Sequence, residues 1–203
     1  MKIICVGRNY VEHIIELENE RPDSPVIFLK PETSIIHKNQ PFFIPSYSND
    51  VHHEIEVIVQ INRLGKSISP KFSHKYYDKI GLGVDFTARD LQITLKKRGL
   101  PWEKSKAFDG SALIGNWINK NEIEDLNNID FKLEKNGYIV QTGNTSNMLW
   151  NIDELISEIS KYFTLKIGDV IFTGTPSGVA KVIENDNLVG FLNDRECFSI
   201  KIK

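Results

Sequence analysis

The most regular hydrophobic pattern in the chain covers residues 53–61, His-Glu-Ile-Glu-Val-Ile-Val-Gln-Ile. Its period of two predicts a strand with Ile55, Val57, Val59 and Ile61 on one face and Glu54, Glu56 and Gln60 on the other. Shorter apolar runs at 3–6, 26–29 and 41–44 predict further strands, the first ending at Gly7. Residues 169–173 and 196–203 are also strand-like. Asn136-Gly137, between apolar runs at 131–133 and 138–141, is a hairpin-turn dipeptide.

Three helices are predicted among these strands. The first opens at Asn9-Tyr10-Val11-Glu12, with Asn9 as its cap and Glu12 returning a hydrogen bond; it carries Ile14, Ile15 and Leu17 and stops before Pro22. The second opens at Thr87 with Asp90 as capping partner and runs through Leu91, Ile93 and Leu95. Lys96, Lys97 and Arg98 suit its C-terminus, and Gly99 and Pro101 end it. A third covers 153–163. Many strands, few helices and no regular strand–helix alternation predict a β-rich α+β fold, not a doubly wound sheet. With no internal repeat or low-complexity stretch, residues 1–203 read as one domain.

Composition narrows the partners. The 203 residues carry 25 Lys and Arg against 27 Asp and Glu, a net charge of −2, and 40% are apolar. A chain of this size buries roughly 70% of its unfolded surface, so a disordered polymer is excluded. No basic stripe exists to meet a phosphate backbone, and nucleic acid is not an expected partner. Two cysteines, Cys5 and Cys197, make neither a disulfide framework nor a metal-ligand spacing, which fits a reducing compartment. The apolar N-terminal run is too short for a signal peptide, and nothing approaches the ~20 apolar residues of a membrane span. A cytoplasmic location without membrane association is expected.

Glu54 and Glu56, at i and i+2 on a strand, point the same way about 7 Å apart and can clasp one cation; a solvated strand face explains the same spacing. Asp85, at the junction after Ile80-Gly81-Leu82-Gly83-Val84, is a natural third ligand. Converging carboxylates at ~4 Å would repel by about 4 kcal/mol per pair at an effective dielectric near 20, so the trio would need a cation or protons. Oxygen-only ligands select Mg²⁺, with Mn²⁺ or Ca²⁺ as alternatives, over Zn²⁺.

His13 and Glu16, three apart on the first helix, read as a dyad that activates water or as an exposed ion pair. Lys106 lies in a loop between aromatic residues that could shield it and lower its pKa, or it is a solvated lysine. The turn Thr173-Gly174-Thr175-Pro176-Ser177-Gly178 offers backbone N–H groups and a hydroxyl to an anion, without being a P-loop. His37, His52, His53 and His74 read as structural or surface residues.

Seven strings occurring in order resemble the fumarylacetoacetate hydrolase family, and within it the small acylpyruvase-like members that consist of the catalytic domain alone. They are Gly7-Arg8-Asn9-Tyr10 followed by His13 and Glu16; Phe28-Leu29-Lys30-Pro31; His53-Glu54-Ile55-Glu56; and the run from Asp85 through Arg89 and Asp90 to Gln92. Pro101-Trp102 with Lys106-Ala107-Phe108-Asp109, Gln141-Thr142-Gly143-Asn144-Thr145, and the run from Gly168 through Thr173 to Pro176 complete the set. The resemblance implies a mixed β-roll, a homodimer, and a divalent metal at Glu54, Glu56 and Asp85. It also implies that His13 and Glu16 belong to a lid, that Lys106 is the active-site lysine, and that Arg89, Gln92 and Thr175 lie near a bound oxo-acid. The chain departs from the pattern at Gly178-Val179-Ala180, where Gly-Val-Gly is common, and lacks the N-terminal extension of larger members.

The expected reaction is metal-dependent hydrolysis of a C–C bond in a small 2,4-dioxo acid, giving pyruvate and a carboxylic acid. His13, oriented by Glu16, would take a proton from water, and Lys106 would neutralise the enolate. The same site suits oxaloacetate decarboxylation or tautomerisation, or isomerisation of 2-hydroxyhepta-2,4-diene-1,7-dioate; the dyad favours hydrolysis because decarboxylation needs no base. An oxo-acid binding protein without turnover is the remaining reading.

Overall fold

The computed structural model describes residues 1–203. Its centre is a seven-stranded mixed sheet. Val26–Lys30, Ile3–Gly7, Val170–Phe172, Ile55–Ile61, Tyr77–Asp85 and Ala112–Ile114 follow one another across it, and Ile118–Asn119 also pairs with Tyr77–Asp85. Only the pairing of Ile3–Gly7 with Val170–Phe172 is parallel. A four-stranded antiparallel sheet contains Tyr138–Asn144, Asp130–Lys135, Asn187–Leu192 and Arg195–Lys201, and a small third sheet joins Ala180–Lys181, Val51–His53 and Thr87–Ala88. This is the β-rich α+β arrangement expected. No helix is long and apolar enough to cross a membrane.

The alternating strand lies in the middle of the large sheet and is buried on both faces, so its glutamates do not look out on solvent. The main core gathers Val57, Val59 and Ile61 with Ile80, Leu82 and Leu188, and with Leu155, Ile156 and Ile159 of the helix Ile152–Tyr162. Each such side chain contributes roughly 1.5–3 kcal/mol when withdrawn from water. That helix starts one residue earlier than expected, at a capping box. Asn151 accepts the Glu154 N–H at 3.0 Å, and Glu154 accepts the Asn151 N–H at 2.8 Å.

Three expectations need correction. The first helix spans only Val11–Glu16 with Tyr10 at its cap position, because Asn9 is buried and its amide donates to the carbonyls of Trp150 and Thr173 instead of capping. The second helix is Arg89–Lys97: Thr87 and Ala88 are held in a strand against His52 and Val51. Residues 41–44 form no strand; Phe42 makes a single bridge to Ile202 while its ring stacks on Phe86 at 3.8 Å.

Candidate metal centre and active site

Strand register brings the acidic residues together. Ile55 pairs with Val84 and Glu56 with Gly83, which sets Asp85, the last residue of its strand, beside Glu54; the Asp85 N–H donates to the Glu54 carbonyl at 2.9 Å. On the other side, Phe172 pairs with Ile58, so the turn after it reaches Glu56, and the Gly174 N–H donates to Glu56 Oε2 at 2.7 Å. Gly174 has φ of +106°, and a Cβ there would come within 2.7 Å of Asn9 Cβ. Only glycine lets the turn close on the carboxylate at this point.

The side chains of Glu54, Glu56 and Asp85 are all buried and offer oxygens within 4.8 Å of one another. Lys106 Nζ donates to Glu54 Oε2 at 2.7 Å, Asp85 Oδ2 at 2.7 Å and Thr87 Oγ1 at 2.6 Å, so all three ammonium hydrogens are used. Arg89 pairs with Glu54, and its other arm donates to Gln92 Oε1 at 2.5 Å. Glu54 is acidified well below the usual range: burial opposes its ionisation, but the charges of Lys106 and Arg89 outweigh burial.

Glu56 is different. Burial, then the charges of Asp85 and Glu54, push its carboxyl well above the usual range, and neither Lys106 nor the Gly174 N–H offsets them; no cation lies within 4.0 Å of it. Asp85 Oδ1 lies 2.7 Å from Lys30 Nζ as a charge contact, yet it lacks an aligned hydrogen bond. An all-oxygen donor set with one uncompensated buried carboxylate and one under-bonded oxygen fits a hard divalent cation. The solvated-face reading of Glu54 and Glu56 is therefore set aside.

His13, Arg89, Gln92, Lys106 and Thr175 line the same cavity as the three carboxylates, whose free space is about 40 Å³. That is room for a few waters, each needing about 10–15 Å³. His13 Nδ1 lies 2.9 Å from Glu16 Oε2, which requires the proton on Nδ1 and leaves Nε2 as the basic nitrogen. Glu16 does not line the cavity; it touches His13, which does.

Lys106 departs from expectation. It ends a one-turn helix, Glu103–Lys106, and its pKa is raised: burial would lower it, but the charges of Asp85 and Glu54 prevail. The turn after Thr173 also offers less to an anion than expected, because the Gly174 and Gly178 N–H groups already serve Glu56 and Glu16. Ala180 pairs with His53 and no site contact depends on it.

Two site-supporting residues were not singled out by spacing. Lys30 is 2% exposed, and its ammonium donates to the Lys106 carbonyl and to Ser111 Oγ at 2.9 Å, so it braces both Asp85 and the turn carrying Lys106. Its signal was a lysine closing the apolar run Val26-Ile27-Phe28-Leu29. Gln141 Oε1 accepts the Ile55 N–H at 3.1 Å and so must also accept from His53 Nδ1 at 2.9 Å, while its Nε2 donates to Thr175 Oγ1 at 3.0 Å. His53 is thus a buried, neutral part of this network, its pKa lowered to about 4 chiefly by burial.

The sequence matches the family model described as fumarylacetoacetate hydrolase, C-terminal, over residues 2–203. The chain belongs to the fumarylacetoacetate hydrolase family. Within that family it is 42% identical over 188 residues to the oxaloacetate tautomerase YcgM of Escherichia coli, covering 92% of this chain and 86% of that one. It is 43% identical over 182 residues to a mitochondrial oxaloacetate decarboxylase of Dictyostelium discoideum, covering 89% and 84%. Among solved structures, a fumarylpyruvate hydrolase from Pseudomonas aeruginosa in complex with Mn²⁺ and pyruvate superposes with a TM-score of 0.93 at 29% identity, covering 100% of this chain and 89% of that one.

Proposed function

We propose that this member of the fumarylacetoacetate hydrolase family is a metal-dependent enzyme that interconverts the keto and enol forms of oxaloacetate, with decarboxylation of the same acid as its second reaction. The observation that carries the reading is that His13, held by Glu16, lines one small cavity with the buried acidic trio. Support for the substrate comes from relatives 42–43% identical that are named as an oxaloacetate tautomerase and an oxaloacetate decarboxylase. The expected C–C hydrolysis has weaker support, from a structural relative at 29% identity.

Glu54, Glu56 and Asp85 would hold a divalent cation, which supplies Lewis-acid polarisation of a 2-oxo carboxylate. His13 Nε2 takes a proton from C3 of the keto acid, and the electron pair of that C–H bond moves to make the C2–C3 double bond while charge passes to the 2-oxygen. Glu16 stabilises the imidazolium that results, and the imidazolium then gives its proton to that oxygen to complete the enol. Lys106, an ammonium at every relevant pH, opposes the negative charge as it develops. Arg89, Gln92 and Thr175 orient the acid.

The test follows decay of the enol absorbance of oxaloacetate with Mg²⁺, alongside coupled detection of pyruvate and loss of acetylpyruvate and fumarylpyruvate. Tautomer exchange above background, exceeding pyruvate formation, supports the reading. Acylpyruvate cleavage without an effect on tautomer exchange reassigns the chain as a hydrolase. Saturable binding with no turnover of any of them makes it a binding protein.

A further inference from the structure

Two cations of the cavity take no part in the interactions described so far. Arg8 and Lys96 line it together with Glu54, Glu56 and Asp85, yet no carboxylate lies within 4.0 Å of either. Both point at one neutral atom, and Arg8 Nη1 has in addition only a long 3.5 Å hydrogen bond to the Glu20 carbonyl. Lys96 Nζ donates to Asn19 Oδ1 at 2.6 Å, and Arg8 Nη2 donates to the same oxygen at 3.3 Å. The other two cations, Arg89 and Lys106, are committed to Glu54 and Asp85.

We propose that Arg8 and Lys96 are the receptor for the second carboxylate of the substrate and are the residues by which the site selects a short 2-oxo dicarboxylic acid over a monoacid. The inference deepens the oxo-acid reading and rests on it. A shared amide oxygen is a weak partner for two half-buried cations, whereas a carboxylate brings full charge and more lone pairs. Lys96 already feels the surplus: burial, then the charges of Arg8 and Arg89, hold it below the ordinary lysine value. Arg8 also sits at φ of +61°, in the left-handed region that a residue with a Cβ adopts at a cost. That backbone aims its guanidinium into the cavity, and such conformations persist where the site requires them.

Discrimination follows from the same chemistry. An acid ending in a methyl group would leave both cations desolvated without a partner, and sites built for a polar group reject the analogue that lacks it. The test measures equilibrium binding to the Mg²⁺-loaded protein by calorimetry. The ligands are 3,3-difluoro-oxaloacetate, a diacid with no C3 proton to lose, and 2-oxobutanoate, a monoacid of the same length.

Wild type is expected to bind the diacid more tightly. Lys96→Met and Arg8→Met should each weaken diacid binding by about 10- to 100-fold, the range for a charged hydrogen bond, and change monoacid binding by less than about threefold. Lys96→Arg should retain the preference, and its thermal melt, with that of Lys96→Met, verifies folding. Equal weakening of both ligands would show that the cations only support the wall. An unchanged diacid affinity in Lys96→Met, or a wild type that prefers the monoacid, would also overturn the proposal. Whether wild type tautomerises oxaloacetate is read separately, so failure of the reaction assignment is not confused with failure of the subsite.

Discussion

Glu16 and Gly178, 162 residues apart in the chain, are joined by a 2.8 Å hydrogen bond from the glycine N–H to Glu16 Oε1. The other oxygen of the same carboxylate engages His13 Nδ1 at 2.9 Å. One side chain therefore orients His13 and ties the Val11–Glu16 helix to the turn that carries Thr175. The free space beside the carboxylates, about 40 Å³, is smaller than a four-carbon acid, so we propose that this helix swings aside to admit one. Glu16→Ala should speed hydrogen exchange of the amides of residues 11–16 and lower kcat. Glu16→Gln keeps an acceptor for Gly178 but removes the charge, so exchange should stay slow while kcat falls. Identical exchange in wild type and the alanine variant would show that the bridge does not hold the helix.

His13 supplies the only ring nitrogen assigned to proton transfer, and general base catalysis contributes about 10²- to 10⁴-fold. His13→Ala should lose tautomerase activity by that factor while Mg²⁺ affinity, measured by calorimetry, is unchanged. Wild-type rates in the variant would remove His13 from the mechanism.

The acidic trio was legible because a strand with period two orders its own side chains: Glu54 and Glu56 need no tertiary information to share a face. Asp85 was legible only as a junction residue, since its place beside Glu54 depends on antiparallel register. Asn9 and Lys30 show where the reading stops. Asn9 satisfies the rules for a cap, but two buried carbonyls from distant segments compete for its amide and win. Lys30 looks like the exposed end of a strand until the Lys106 turn folds over it. The surroundings of Lys106 suggested a lowered pKa because its aromatic neighbours are local in sequence, whereas the carboxylates that raise it are not. The strand Asn187–Leu192 and the short strands around residue 112 have too few residues, or too weak an alternation, to be seen without their partners.

Glu56 separates metal binding from intrinsic stability. Burial and its carboxylate neighbours disfavour its charged form and no cation lies within 4.0 Å, so in metal-free protein Glu56→Gln should melt at or above the wild-type temperature. Ligand linkage gives wild type about 2.7 kcal/mol at a Mg²⁺ concentration 100 times Kd, and the variant should gain none of it. Melts with Mg²⁺ and with EDTA read both effects, and an equal Mg²⁺ shift in the two proteins would remove Glu56 from the ligand set.

Lys30 predicts a loss of stability. Lys30→Met leaves Asp85 Oδ1 and the Ser111 hydroxyl without the ammonium that bridges them. Breaking one partner of a buried pair costs about 3–5 kcal/mol, equivalent in a domain of this size to a Tm lower by roughly 6–20 °C. Urea unfolding of the variant measures the cost directly; a change below about 1 kcal/mol would mean that Lys106 alone satisfies Asp85.

Asp90 anchors the helix that presents Arg89 and Gln92, and it does so as a carboxylate. Its oxygens accept from the Ser48 hydroxyl at 2.7 Å, the Asn49 N–H at 3.0 Å and the Leu91 N–H at 2.8 Å. Burial is the largest single influence and opposes ionisation, but these donors together outweigh it and hold the carboxyl below the ordinary aspartate value. A folded pKa below the unfolded one gives stability that is fully present above the unfolded value of about 3.9 and is lost as pH falls through the folded value. Asp90→Asn should therefore be less stable than wild type at pH 7, because its amide nitrogen cannot accept from Asn49. The gap should close as pH falls from about 3.9 toward 2. Urea midpoints of the two proteins across that range test the sign, and a gap independent of pH would assign the effect to side-chain shape instead of charge.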